Sequence, residues 1–218
     1  MKGRPFRDRL DAGAQLAELL LRYGGRDHVT VLGLPRGGVP VAGVVADRLG
    51  APLDALIVRK IGVPGHRELA AGALGPDGAA LLDHELMARL GLSRDDLEPT
   101  IEAERAEQHR REEVYREGRE PPELAGRHIL LVDDGMATGA SMVAAVTALR
   151  SADPAGIVVA VPVASPSGAR RLEGVADDVV AVAVPARFAA VGQWYEDFAE
   201  VPDAEVQRWL TRRSPPAD

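Results

Sequence analysis

Five apolar runs of strand length punctuate the chain: VTVLGL (29–34), LDALIV (53–58), HILLVDD (128–134), GIVVAVPV (156–163) and VVAVAV (179–184). They are rich in β-branched residues and nearly free of polar interruptions, the pattern of strands covered on both faces of a mostly parallel sheet. Between them, helical spacing predicts helices over 39–49, 141–151 and about 166–173. An opening helix is predicted from Asp11 to Arg22, with Leu10, Ala14, Ala17 and Leu21 along one side. Strand and helix alternate, which predicts an α/β domain.

The segment from about 81 to 120 breaks the alternation. LLDHELMARLGL and SRDDLEPTIEAERAEQHRREEVYREG read as two helices, the second heavily charged with pairs such as Glu107 and Arg111 at i,i+4. The simplest expectation is a solvated helical insertion; the alternative is that Ile101, Val114 and Tyr115 dock on the core or on a partner subunit. REPPELAGR then makes a stiff connection back to the sheet.

Composition narrows the function. A chain of 218 residues, 46% hydrophobic and 27% charged, suffices for a single domain spanning 1–218. The formal net charge of −7 disfavours a grip on nucleic acid backbone. No apolar run approaches the ~20 residues of a membrane span, and the opening MKGRPFRDRL is too polar for a signal peptide. A cytoplasmic protein without a membrane partner is expected. The lack of cysteine removes disulfides and thiolate metal sites, and the five histidines show no metal-ligand spacing. Neither a P-loop, a dinucleotide-binding glycine motif after a strand, nor a nucleophile elbow occurs.

Two loops carry the candidate chemistry. LPRGGVP (34–40) leaves the first apolar run and DDGMATGAS (133–141) leaves the third. Ligands of open α/β sheets bind beyond the carboxyl ends of strands, so if these two strands are neighbours both loops line one crevice. Gly37 and Gly38 permit close backbone approach to an oxyanion and Arg36 adds charge, although the same residues also suit a plain strand-to-helix turn. Residues 138–141 offer hydroxyls and N–H groups where a helix begins, the arrangement that binds anions. Asp133 and Asp134 would repel an anion and require another partner.

ILLVDDGMATGASM resembles the PRPP-binding motif of type I phosphoribosyltransferases: a hydrophobic strand, two acidic residues, three intervening residues, then Thr-Gly-x-Ser/Thr. LPRGG sits where that family has its pyrophosphate loop, and VRKIGVPGHRELAAGAL resembles its Arg-Lys strand end and mobile catalytic loop. The likeness is closest to bacterial phosphoribosyltransferases of undefined acceptor.

The resemblance implies a three-layer α/β/α fold: a mostly parallel sheet of order 3-2-1-4-5-6 with strand 3 antiparallel, and a small hood, placed here in the C-terminal segment of about 185–218. It implies transfer of ribose 5-phosphate from PRPP to a nitrogenous acceptor, with Mg²⁺ as cofactor and a homodimer expected. Asp133 and Asp134 would take the ribose hydroxyls and support Mg²⁺, while Ala137, Thr138, Gly139, Ala140 and Ser141 would cradle the 5′-phosphate. Arg36, Gly37 and Gly38 would receive pyrophosphate, and Arg59 and Lys60 would stabilise its charge. Glu68 is a candidate proton-transfer residue or a solvated loop carboxylate. Phe188 and Trp194, in the aromatic-rich PARFAAVGQWYEDF, are candidate acceptor contacts or hood core. Enzymes of this family that act on 6-oxopurines carry an Asp immediately before Thr-Gly; here that position is Ala137, which points away from those bases. The rival expectations are a PRPP-sensing regulatory protein without turnover and a nucleotide-binding module with no use for PRPP.

Overall fold

The computed structural model describes residues 6–212, except the side chains of Arg67 and Glu68. Five strands form a wholly parallel sheet: β1 (Val29–Gly33), β2 (Leu53–Ala55), β6 (His128–Val132), β7 (Gly156–Val163) and β8 (Asp178–Ala183), in the order β2-β1-β6-β7-β8. All five apolar runs are thus strands. Period-two alternation distributes their side chains to both faces. Val29, Val31, Leu130 and Val132 pack under α1 (Arg9–Leu19) and α2 (Gly38–Leu49), while Leu32, Ile129, Leu131 and Val159 pack under α5 (Ala140–Arg150) and α6 (Pro166–Arg171). The α/β/α layering is as expected.

Two expectations are corrected. The sheet has five strands rather than six, with no antiparallel member; the antiparallel strands form a second sheet of β3 (Arg59–Val63), β4 (His66–Leu74) and β5 (Ala80–Leu82). The segment expected to be a loop is therefore mostly paired, with Arg59 opposite Leu74 and Val63 opposite His66. Its turn is Pro64-Gly65, where proline presets φ and Gly65 takes φ 78°, a combination that reverses the chain in two residues. Helix α1 runs Arg9–Leu19 rather than Asp11–Arg22. Leu10 and Ala14 on it and Leu21 beyond it are exposed, and the buried face is Ala12, Gly13, Leu16 and Ala17, followed by Leu20, so only Ala17 of the expected side is buried. Small residues decide this, because a Cβ on Gly13 would lie 2.9 Å from Val44 Cβ of α2.

The charged segment forms α3 (His84–Leu90) and α4 (Arg94–Arg116), the latter opened by a capping box between Ser93 and Asp96. Despite its polarity, α4 buries Leu97, Ile101, Gln108 and Tyr115, a stripe with steps of four, seven and seven residues. Ile101 joins Ile61, Val63 and Leu74 of the second sheet, and Tyr115 joins the main core with Val114 beside it, so the docking alternative holds. Gln108 ties the parts together: its side-chain amide donates to Ile57 O and Gly75 O, both at 2.9 Å, in a buried setting. A last helix, α7 (Asp203–Thr211), packs against α4 and α2. No helix among the described residues is long and apolar enough to cross a membrane.

Gln108→Leu keeps the volume but leaves two buried carbonyls without their donor, at about 1–3 kcal/mol for each group left unsatisfied. Urea denaturation should show that loss, whereas Arg94→Ala, at an exposed position, should stay within about 0.5 kcal/mol of the parent chain.

Candidate functional site

β1 and β6 are parallel neighbours with Gly33 opposite Val132, so the loops that follow leave the sheet side by side. Leu34 N extends the pairing with a 2.9 Å bond to Val132 O. The first loop contains a cis Pro35–Arg36 peptide and runs into α2 through Gly37 and Gly38. A Cβ at Gly37 would overlap Asp134 Oδ2, and one at Gly38 would lie 2.7 Å from Val132 O and 3.0 Å from Asp133 Oδ1. The two glycines therefore let the first loop lie directly on the acidic pair.

The second loop is held from behind. Met136 N donates to Val163 O and Ser165 N to Met136 O, both at 2.8 Å, and the Ser165 hydroxyl donates to Ala137 O. Gly139 caps α5 in the left-handed region at φ 74°, and Thr138, Ala140 and Ser141 surround that helix start. The arrangement leaves the first-turn amides of α5 at the loop's mouth, the geometry suited to an anion.

Asp133 and Asp134 sit together with one nearby guanidinium. Arg9 Nε donates to Asp134 Oδ2 at 2.9 Å with only 12% and 15% of the two side chains exposed. The Arg9 head also donates to Ala199 O at 2.7 Å and lies 4.0 Å over the Phe198 ring. Burial pushes the Asp133 carboxyl well above the ordinary range, and the neighbouring Asp134 charge adds to that. Burial also raises Asp134, against the pull of Arg9. A carboxylate pair of which only Asp134 is bonded to a guanidinium suits a hard cation; among the described residues no third acidic or histidine ligand joins them. That set fits Mg²⁺ held by one or two carboxylates, waters and the phosphates of a substrate.

A cavity of about 410 Å³ opens at this edge, lined by Pro35, Arg59, Lys60, Asp133, Ser141 and residues of α4 among others. It brings together predicted residues from two separate stretches, Arg59 with Lys60 and Asp133 with Ser141, while the first loop contributes Pro35 rather than the predicted Arg36, Gly37 and Gly38. Arg59 is held by Glu104 of α4 through Nε and Nη2 at 2.6 and 2.5 Å, while Lys60 is exposed. Arg36 lies on the other side of Pro35 and pairs with Glu200. Phe188 and Trp194 do not line the cavity; they pack around Phe6, Val163 and Tyr195. Glu68 belongs to β4, but its side chain lies outside the described residues. Sequence reasoning missed Arg9, Glu104 and the Tyr195 hydroxyl, which donates to Asp134 O at 2.5 Å. Tyr195 stood within the aromatic cluster, whereas Arg9 and Glu104 meet partners 125 and 45 residues away and left no local signal.

The phosphoribosyl transferase domain family matches residues 7–192. The chain belongs to that family. It is 45% identical over 207 residues to a phosphoribosyl transferase of Mycobacterium tuberculosis H37Rv that is named for the family alone, covering 95% of this chain but 46% of that protein's length. The chain thus spans less than half of the curated relative. The crystal structure of TT1426 from Thermus thermophilus is similar at TM-score 0.89 and 46% identity, covering 97% of this chain and all of that one. The Aquifex aeolicus protein AQ2163 shares the fold at TM-score 0.51 and 13% identity, covering 84% of this chain and 78% of its own.

The raised Asp133 pKa has a consequence for stability. A carboxyl whose folded-state pKa exceeds the ordinary ~3.9 contributes most below that value and loses its contribution as pH rises through the folded-state pKa. Asp133→Asn is neutral at every pH. In chelator-treated protein it should melt at a higher temperature than the parent chain at pH 8, with the gap shrinking toward pH 4; a pH-independent gap would contradict the burial of a charged Asp133.

Proposed function

We propose that the chain transfers ribose 5-phosphate from PRPP to a nitrogenous acceptor and releases pyrophosphate. The observation that carries this reading is the convergence of the 133–141 loop, the 35–38 loop and the Arg59–Lys60 strand start at the carboxyl edge of adjacent parallel strands. The start of α5 receives the 5′-phosphate. Asp133 and Asp134 accept hydrogen bonds from the ribose hydroxyls. Gly37, Gly38 and Arg36 hold the pyrophosphate end, with Arg59 and Lys60 closing over it from β3.

In the transfer, the acceptor nitrogen's lone pair forms the bond to C1′ as the bond from C1′ to the pyrophosphate oxygen breaks. The breaking pair leaves with pyrophosphate, and the nitrogen gives up its proton. Negative charge grows on the leaving group and positive charge on the ribose ring, so guanidinium and ammonium groups at one end and carboxylates at the other stabilise the separation in place. Mg²⁺, bound with the diphosphate, would add Lewis-acid stabilisation of the leaving group. Removal of bulk water by α4 and the β3–β4 hairpin strengthens each of these contacts. Glu104, which lines the cavity, is a carboxylate available for the acceptor's proton, and Glu68 of β4 is the second candidate.

Calorimetric titration should show Mg²⁺-dependent PRPP binding that the double variant Asp133→Asn, Asp134→Asn loses without unfolding. Lys60→Ala should weaken affinity or rate about ten- to a hundredfold, the worth of one charge-assisted contact at roughly 1.5–3 kcal/mol. Pyrophosphate release with a panel of bases and amines identifies the acceptor. With Ala137 in place of an acid, hypoxanthine, guanine and xanthine should be poor substrates. PRPP binding with no release for any acceptor would instead favour a sensor.

A further inference from the structure

A second, smaller cavity of about 250 Å³ lies on the far side of Pro35 from Asp133, lined by Pro35, Arg36, Arg110, Arg111, Tyr115 and Asp203 among others. Three of these are guanidinium groups, contributed by two elements more than seventy residues apart in sequence. Burial and the bond to Asp203 raise the Tyr115 hydroxyl pKa, and the nearby charges of Arg111 and Arg36 oppose that rise. Asp203 is the one acidic side chain among the named lining residues. It is already engaged, accepting the Tyr115 hydroxyl at 2.6 Å.

Arg110 and Arg111 are held in position by one carboxylate outside the cavity, and Arg36 pairs with another, Glu200. Glu107 accepts Arg110 Nε and Nη2 at 2.8 and 2.9 Å and Arg111 Nε at 2.7 Å. These three hydrogen bonds hold the Glu107 carboxyl down at about 2, so it stays ionised and keeps both arms oriented across the working pH range. Such contacts use one edge of each planar head and leave the other donors for a ligand. Arginines presented in this way favour phosphate or carboxylate groups, which accept two parallel N–H bonds. A volume of about 250 Å³ falls below the ~300–1,000 Å³ of pockets that enclose a whole drug-sized ligand. It therefore suits the anionic group of a ligand rather than an entire nucleotide.

We infer that the Arg110–Arg111 end of this cavity is an anion subsite, adjoining the pyrophosphate position at Arg36, that takes a phosphate or carboxylate group. It goes beyond the proposed transfer and does not require turnover. Pro35 and Arg111 line both cavities, so an anion seated between Arg36 and the α4 arginines draws α4 onto the 35–38 loop. The anion is supplied either by the acceptor itself or by a separate effector.

The probe is inorganic phosphate, titrated calorimetrically into the full chain saturated with PRPP and Mg²⁺, which fills the other phosphate positions. Arg110→Gln should weaken phosphate binding about tenfold or more, the scale of one lost charge-assisted contact. Glu107→Gln keeps an acceptor oxygen for the arginines but removes the opposing charge, and should strengthen binding severalfold. Neither substitution touches the residues assigned to PRPP, so PRPP affinity should stay within twofold in both. Unchanged phosphate binding in both variants overturns the subsite, as does a loss of PRPP affinity that parallels the loss of phosphate in Arg110→Gln. Should PRPP fail to bind the parent chain, the proposed function fails, and the same titration on the chain alone still decides the arginine cavity. In turnover assays, a raised KM of Arg110→Gln confined to acceptors bearing a carboxylate or phosphate assigns the anion to the acceptor. An unchanged KM with lost response to phosphate assigns it to an effector.

Discussion

Residues 37–38 and 132–134 approach each other more closely than side chains would permit, and the candidate site depends on that approach. Adjacent parallel strands bring the two segments together, and the bond from Leu34 N to Val132 O prolongs their pairing past the sheet edge. With a methyl group at Gly37 the Asp134 carboxylate would be displaced, and with it the partner of Arg9. The site is thus a property of two loops at once. Neither has room to change its backbone without moving the other.

Around this contact, three charged groups of the site are each matched by one from a distant element. Arg9 of α1 meets Asp134, Glu104 of α4 meets Arg59, and Glu200 meets Arg36. The pairs differ in how firmly they hold. Glu200 is 75% exposed and contributes on the scale of a surface pair, about 0–1 kcal/mol, so Arg36 is readily released to an anionic ligand. Arg59 and Glu104 are each 26% exposed and doubly bonded, which makes α4 a more stringent holder of the hairpin's cation. The helix that reads as the most solvated part of the chain therefore controls one wall of the cavity. It does so through a thin stripe, Leu97, Ile101, Gln108 and Tyr115, that anchors it between the two sheets.

The parallel strands were legible because residues buried on both faces leave long apolar runs, and the acid–glycine–hydroxyl loop because its chemistry is contiguous. The second sheet was not. Its strands carry Arg, Lys, Gly and Ala, and the alternation of RKIGV amounts to two residues, Ile61 and Val63, too short a run to distinguish it from a loop; pairing across the Pro64-Gly65 turn makes the segments strands. The face of α1 was misread for a related reason. The expected side of Leu10, Ala14, Ala17 and Leu21 is rotated from the buried one, because close contact with α2 at Val44 admits Gly13 and carries Leu16 and Leu20 inward with it.

By itself, then, the sequence determined the layered α/β class, the strands of the parallel sheet, and the membership that DDGMATGAS and PRGG declare, since each of these rests on interactions among residues near in the chain. Tertiary structure alone decided which cations stand opposite which carboxylates, that α4 walls the cavity, and that Arg36 meets Arg110 and Arg111 at a second one. Those contacts join residues tens to more than a hundred positions apart. Their energy depends on distance and burial in space, quantities that no local pattern of residues encodes.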